Sequence, residues 1–83
     1  MTIQVTTNHR YELAVMLAAN RRQLARAEDS LPAKIGRARR NHLMKIMAIR
    51  RVDGALMTSL SLVCRELGAP MVDVSDTGLI RDA

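Results

Sequence analysis

Residues 42–67, HLMKIMAIRRVDGALMTSLSLVCREL, decide the fold of this chain. One set of positions in them recurs at alternating spacings of four and three, which is typical of a helix that packs lengthwise against another helix. These positions are His42, Ile46, Ile49, Asp53, Leu56, Leu60, Val63 and Leu67. Gly68 suits the end of a helix and Pro70 prevents its continuation, so the pattern predicts a long helix over 33–67.

An earlier segment carries the same spacing. Its seam is apolar except for Asn20 and consists of Leu13, Leu17, Asn20, Leu24, Ala27 and Leu31. The seam predicts a first helix over 8–29, with Asn8 as its N-cap. Leu31 precedes Pro32 and is therefore disfavoured in a helical conformation, which ends this helix. Because the connection is short, we expect the two helices to pack antiparallel.

The polar interruptions of the two seams predict how the helices face each other. A turn centred on Leu31 places Asn20 opposite His42, and Asp53 opposite His9 or Arg10. Buried polar groups need partners, so we expect these residues to form the buried polar pairs of the hairpin. Two glycines are weak points of the second helix, because each costs about 1 kcal/mol relative to alanine in a helix interior. They are Gly36 and Gly54.

The fold class is therefore all-α, an antiparallel two-helix hairpin over 8–68 with a long second helix. Residues 1–7 alternate polar and apolar and predict a short extended arm. Residues 69–83 predict an irregular tail, which either adds one short strand beside the arm or has no regular structure. Tyr11 is the only aromatic residue, so the core must be aliphatic.

The second helix is longer than the first, which predicts self-association. In the predicted alignment its residues beyond Asp53 have no counterpart, and either the arm or a second copy must cover them. A chain of 83 residues also gains stability from oligomerisation. We expect a homodimer in a four-helix arrangement. Its contact residues are predicted to be Leu43, Met47, Leu56, Met57, Leu60, Val63 and Leu67.

Positive charge is concentrated around the predicted turn. Residues 20–51 contain ten Arg and Lys residues and two acids, a local charge of +8 in a chain whose net charge is +5. Such a surface favours an anionic partner. The residues predicted to bind it are Arg21, Arg22, Arg26, Lys34, Arg37, Arg39 and Arg40. The alternative is a solvated face that keeps a small oligomer soluble.

No motif for catalysis or metal binding is present in the sequence. The soft metal ligands are His9, His42 and Cys64, and no two of them have the spacing of a known metal site. The stretch 51–53 resembles part of the opening helix of helical chorismate mutases, but the other substrate contacts of such enzymes are missing. We expect neither enzymatic activity nor a cofactor. The single cysteine favours a reducing, cytoplasmic setting.

These features predict a non-enzymatic interaction or regulatory protein of the size typical of inhibitors and adaptors, including those of phages and mobile elements. Its predicted partner is a protein with an acidic surface, which contacts the basic hairpin end and the apolar face of the second helix. The alternative is a helical-hairpin dimer that binds the phosphates of a nucleic acid with its Arg cluster. No membrane partner is expected, because no apolar run has the length of a bilayer span.

Overall fold

The computed structural model describes residues 7–81, and within them the chain is mostly helical. Helix α1 spans Thr7–Ser30, a 3₁₀ turn spans Leu31–Ala33, and helix α2 spans Gly36–Leu67. Strands β1 (Asp73–Val74) and β2 (Ile80–Arg81) pair antiparallel. The predicted arm lies outside the described residues, except that Thr7 is already helical. Asn8 accordingly lies inside α1 and is not its cap.

The connection between the helices is longer than the sequence pattern predicts. Pro32 lies in the 3₁₀ turn, which the Lys34 N–H closes by donating to the Leu31 carbonyl at 3.0 Å. Ile35 is extended, and α2 begins only at Gly36, whose φ of 59° suits a residue without a side chain. Gly36 is thus the first residue of the helix and not a weak point inside it.

This longer connection shifts the register of the hairpin, and the predicted polar pairs are wrong. The Asn20 Nδ2 donates to the Ile49 carbonyl at 3.0 Å, while His42 Nε2 lies 2.6 Å from the Ala27 carbonyl. Facing residue numbers therefore sum to about 69 (20 and 49, 27 and 42), and not to the 62 or 63 that a turn at Leu31 would require. Asn20 consequently lies almost two turns away from the level of His42.

Asp53 also has a different partner from the one predicted. Its carboxylate binds Arg21, which lies one helical position beyond Asn20. Arg10 instead donates to the Pro70 carbonyl at 2.8 Å. The predicted weak point at Gly54 is continuous α-helix, since α2 runs unbroken from Gly36 to Leu67.

The core consists of two aliphatic clusters between the helices. The cluster near the turn contains Ala27, Ile46 and Ile49. The cluster remote from the turn includes residues of the C-terminal segment and contains Ala14, Leu17, Ala18, Leu60, Cys64, Val72 and Val74. The half of α2 beyond Asp53 therefore does have partners, supplied by the start of α1 and by the tail.

The tail is a small β-hairpin folded back onto the helices. Gly68 has a φ of 63° and ends α2 as predicted, with the Ala69 N–H bonded to the Cys64 carbonyl at 2.9 Å. Strands β1 and β2 enclose a turn in which the Gly78 N–H donates to the Ser75 carbonyl at 3.0 Å. The sequence predicts either one short strand beside the arm or no regular structure for this tail; in the structure the tail forms a strand pair of its own, and the arm lies outside the described residues.

The tail gives the helical hairpin two different sides. The Cα atoms occupy a slab of 48 × 30 × 14 Å, too thin for more than one layer of helices and the tail. We call the side that carries Val72 and Val74 the tail face. We call the opposite side the open face, defined by Glu12, Met16, Ala19, Gln23 and Arg26 of α1 and Lys45, Ala48, Val52, Leu56 and Val63 of α2.

Two glycine substitutions test how the tail docks. Gly78 has a φ of 85°, and a Cβ atom there would lie 2.5 Å from the Ala18 carbonyl oxygen and from the Arg22 Cγ. Gly78→Ala should lower the free energy of unfolding by about 1–3 kcal/mol, because the tail must move away from α1. Urea denaturation measures the loss, and amide exchange of residues 73–80 should accelerate.

Gly54→Ala is the matched control. Gly54 lies inside α2, and a Cβ atom there meets no heavy atom within 4 Å. The substitution should therefore raise stability by about 0.5–1 kcal/mol through helix propensity alone. Equal effects of the two substitutions would contradict the docked tail.

Candidate docking surface

The predicted basic end is divided between two roles, and two of its arginines hold the fold together. The Arg21 guanidinium donates to the Asp53 carboxylate at 2.9 Å and to the Val74 carbonyl. Arg22 Nη1 donates to the Gly78 carbonyl at 3.0 Å. Both side chains therefore join α1 to the tail. Arg21 is half-buried by these contacts, whereas Arg22 stays exposed.

Arg21 is the electrostatic centre of this arrangement. Its side chain is only 16% exposed and that of Asp53 only 21%. The hydrogen bond to Asp53 raises the pKa of Arg21 above its ordinary value, and burial opposes this. The raised pKa means that folding stabilises the charged form of Arg21. Its contribution to the free energy of unfolding is therefore complete at neutral pH and would be lost only at strongly alkaline pH.

His42 contributes to the hairpin rather than to a site of its own. Its Nε2 contacts the Ala27 carbonyl at 2.6 Å and the Ser30 Oγ at 3.1 Å. A carbonyl only accepts hydrogen bonds, so Nε2 carries the proton in this contact. The histidine thereby bonds to a carbonyl in the last turn of α1 that also accepts from the Ser30 hydroxyl at 3.1 Å.

The other predicted partner-binding cations lie around the turn. Arg26, Arg37 and Arg40 are exposed, and Lys34 is half-buried. Arg39 is exposed and donates to the Leu31 carbonyl at 3.4 Å. A cationic turn end therefore exists, but it is smaller than the run of basic residues in the sequence.

One side of α2 combines positive charge with long apolar side chains. With about 3.6 residues per turn, five positions at spacings of three, four and eleven lie opposite the seam that packs on α1. We call them the α2 stripe; they are Arg40, Met44, Met47, Arg51 and Leu62. All are exposed, with Met44, Met47 and Leu62 at 65%, 60% and 53%.

The residues predicted for self-association do not form one surface. Leu60 is fully buried in the protein's own core, and Leu67 is half-buried. The half-buried Leu56 and Val63 lie on the open face. The other three are exposed and lie on α2 away from the open face; they are Leu43, Met47 and Met57.

Two shallow cavities near the turn carry opposite charge. The cavity on the tail face, of about 490 Å³, is lined by Arg21, Leu24, Ala25, Glu28, Asp29, Arg50, Asp53, Asp76 and Thr77. The cavity on the open face, of about 320 Å³, is lined by Gln23, Arg26, Ala27, Ser30, His42 and Lys45. The first has four acids and two cations in its lining, and the second has two cations and, within residues 7–81, no acid.

Other kinds of site find no support among the described residues. Between residues 7 and 81, no group of three or more His, Cys, Asp or Glu side chains is placed to hold a metal ion. Neither helix of this part of the chain has the length and hydropathy needed to cross a membrane. The Cys64 thiol is free and buried.

Pattern reasoning on the sequence missed the anchoring role of Arg21 and Arg22. The signal for Arg21 was that a half-buried carboxylate at Asp53 needs a cation, and the shifted register decides which cation it receives. Comparison with protein families, with curated proteins and with solved structures finds no match for this chain.

The Arg21–Asp53 pair gives a test of the tail anchor. Asp53→Asn removes the negative charge and leaves a partly buried guanidinium without its counter-ion, so the free energy of unfolding should fall by about 1–3 kcal/mol. Urea denaturation measures this change.

Glu28→Gln is the matched control for that substitution. Glu28 pairs with Arg50 at 3.7 Å, and their side chains are 46% and 63% exposed. Exposed pairs contribute little, so stability should change by less than about 0.5 kcal/mol. A larger loss for Glu28→Gln than for Asp53→Asn would contradict the central role of Arg21.

Proposed function

We propose that this protein is a non-enzymatic regulatory or adaptor-like protein that docks onto a partner protein with an acidic, partly apolar surface. The α2 stripe carries the proposal. Along about 33 Å of helix, the cations Arg40 and Arg51 lie on the same exposed side as the apolar residues Met44, Met47 and Leu62. Methionine side chains adapt to irregular apolar surfaces, and arginine pairs well with carboxylates.

The composition of the stripe favours a protein over a nucleic acid. Phosphate binding requires cations and has no use for thioether and leucine side chains that are more than half exposed. A segment that presents carboxylates beside leucine or methionine would match both components of the stripe. An amphipathic helix laid along α2 is the form of partner that fits this uninterrupted helix of 32 residues.

A nucleic-acid binder remains the second candidate, supported by the turn end. Arg26, Arg37 and Arg40 project there, next to Lys45. Cations alone suffice for contacts to a phosphate backbone. In this reading Met44 and Met47 would have no part in binding, which makes the two candidates separable.

We further propose that the working form is a homodimer in a four-helix arrangement, in a reducing compartment such as the cytoplasm. The buried free thiol of Cys64 suits such a compartment.

A binding assay with two probes tests the docking function. The probes are a labelled 20-residue amphipathic peptide of Glu and Leu and a labelled 20-base-pair DNA duplex, each measured by fluorescence anisotropy. We expect the peptide to bind, and the Arg40→Glu/Arg51→Glu variant to weaken it by about tenfold or more. Met44→Ser/Met47→Ser should weaken the peptide as well and leave duplex binding unchanged.

Arg81→Gln is the control, because this exposed cation lies in β2 and outside the stripe; it should leave peptide binding unchanged. Duplex binding that falls steeply between low and high salt, together with no effect of the methionine substitutions on either probe, would favour the nucleic-acid candidate instead. Capture from lysate of the native host with the wild type and the methionine variant would then identify the partner.

A further inference from the structure

The open face leaves apolar side chains in water at the centre of the hairpin. Met16 is 54% exposed and Val52 is 47% exposed, and their numbers place them at the same level of the two helices. Beside them lies the half-buried Val63, and Leu56, also half-buried, packs at the same time against the core cluster remote from the turn. Among residues 7–81 the tail is the element that adds a second layer, and it lies on the other side, although domains are normally built from two layers.

We propose that a second copy of this chain covers the open face, packed antiparallel to the first about a two-fold axis perpendicular to the helices. The distribution of charge carries the proposal. The cations Arg26 and Lys45 lie at the turn end of the open face, and the acid Glu12 lies at the remote end. An antiparallel pair places each cationic end on the acidic end of the other copy, whereas a parallel pair would bring like charges together.

The register follows from the centre of the hairpin. Ala19 of α1 lies level with Arg50 of α2, near the middle of both helices. A two-fold axis at this level crosses Ala19 of one copy over Ala19 of the other. It then places Glu12 of one copy opposite Arg26 of the other, because both lie seven residues from Ala19.

The same axis matches large side chains to small ones. Val52 of one copy lies opposite Ala48 of the other. Met16 of one copy lies over the turn of the other copy's α1 that begins at Ala19. Ala19 and Ala48 are exposed in the isolated chain. Small residues at the crossing let the helices approach closely, and the longer side chains fill the space that remains.

The open-face cavity has a place in this arrangement. Its lining includes the donors Arg26, Gln23 and Lys45, and no acid of residues 7–81 neutralises them there. The Glu12 carboxylate of the second copy reaches the Arg26 and Gln23 side of this cavity. Two equivalent ion pairs therefore form in the dimer, as a two-fold interface requires.

The size of the open face suits a stable dimer. Helix α1 has 24 residues and is about 36 Å long, and two adjacent helices are about 20 Å wide. The covered area is thus on the order of 700 Å² per copy, close to the ~800 Å² typical of specific interfaces.

The mass in solution and a reciprocal charge swap test this dimer. By sedimentation equilibrium at micromolar concentration we expect twice the chain mass of 9.2 kDa. Glu12→Arg and Arg26→Glu should each raise the dimer dissociation constant by about tenfold or more. The double variant Glu12→Arg/Arg26→Glu should return it to within about threefold of the wild type.

Arg65→Glu is the matched control, since this exposed cation of α2 lies away from the open face and its reversal should leave the mass unchanged. Circular dichroism verifies that each variant is folded. A folded monomer at 100 µM would overturn the proposal. So would a dimer whose dissociation constant is unchanged by both Glu12→Arg and Arg26→Glu.

Disulfide cross-linking tests the orientation independently. In a Cys64→Ala background, Ala19→Cys should cross-link two copies on oxidation, because the axis passes there. Glu12→Cys should not cross-link to itself, since the antiparallel register separates the two equivalent positions by about 21 Å along the helix. Efficient self-cross-linking of Glu12→Cys would indicate a parallel dimer and overturn the antiparallel one.

Discussion

The rest of the structure depends on the hydrogen bonds of the half-buried Arg21 guanidinium. It binds the carboxylate of Asp53 on α2 and the carbonyl of Val74 in the tail, so one side chain of α1 fixes both neighbours. Near the midpoint of the helices, it fastens them in the register that the connection sets. It also holds the tail over Leu60 and Cys64, which the helices alone would leave open.

Two helices form a single layer and cannot enclose a core by themselves. The tail provides a second layer on one side only, which explains why Val72 and Val74 are buried while Met16 and Val52 on the other side are exposed. Within residues 7–81, a second layer therefore covers the apolar side chains on one side of the hairpin only. In the proposed dimer, association would stabilise the protein mainly on the open face, because the apolar side chains Met16 and Val52 are exposed there in the single chain.

The periodicity of the sequence predicts the helices and the end of α2 at Gly68, because both depend on local preferences. The predicted register of α1 against α2 is wrong because Pro32 lies in a 3₁₀ turn and Ile35 is extended. The periodicity of the helices does not indicate how many residues the connection between them uses. The tail strands are two residues each, below what alternation can detect. The anchoring arginines were missed for a further reason: a run of cations looks uniform until packing assigns some of them to buried partners.

Once those partners are assigned, the remaining cations separate into two groups that serve different surfaces. Arg26 and Lys45 lie on the open face, while Arg40 and Arg51 lie on the α2 stripe. A two-fold axis perpendicular to the helices stacks α2 on α2, so the two stripes of the proposed dimer would run antiparallel along the same edge. A partner with two acidic apolar segments would then engage both stripes, and the second contact would form at a high effective concentration. Dimerisation would in this way strengthen docking without touching a residue of the stripe.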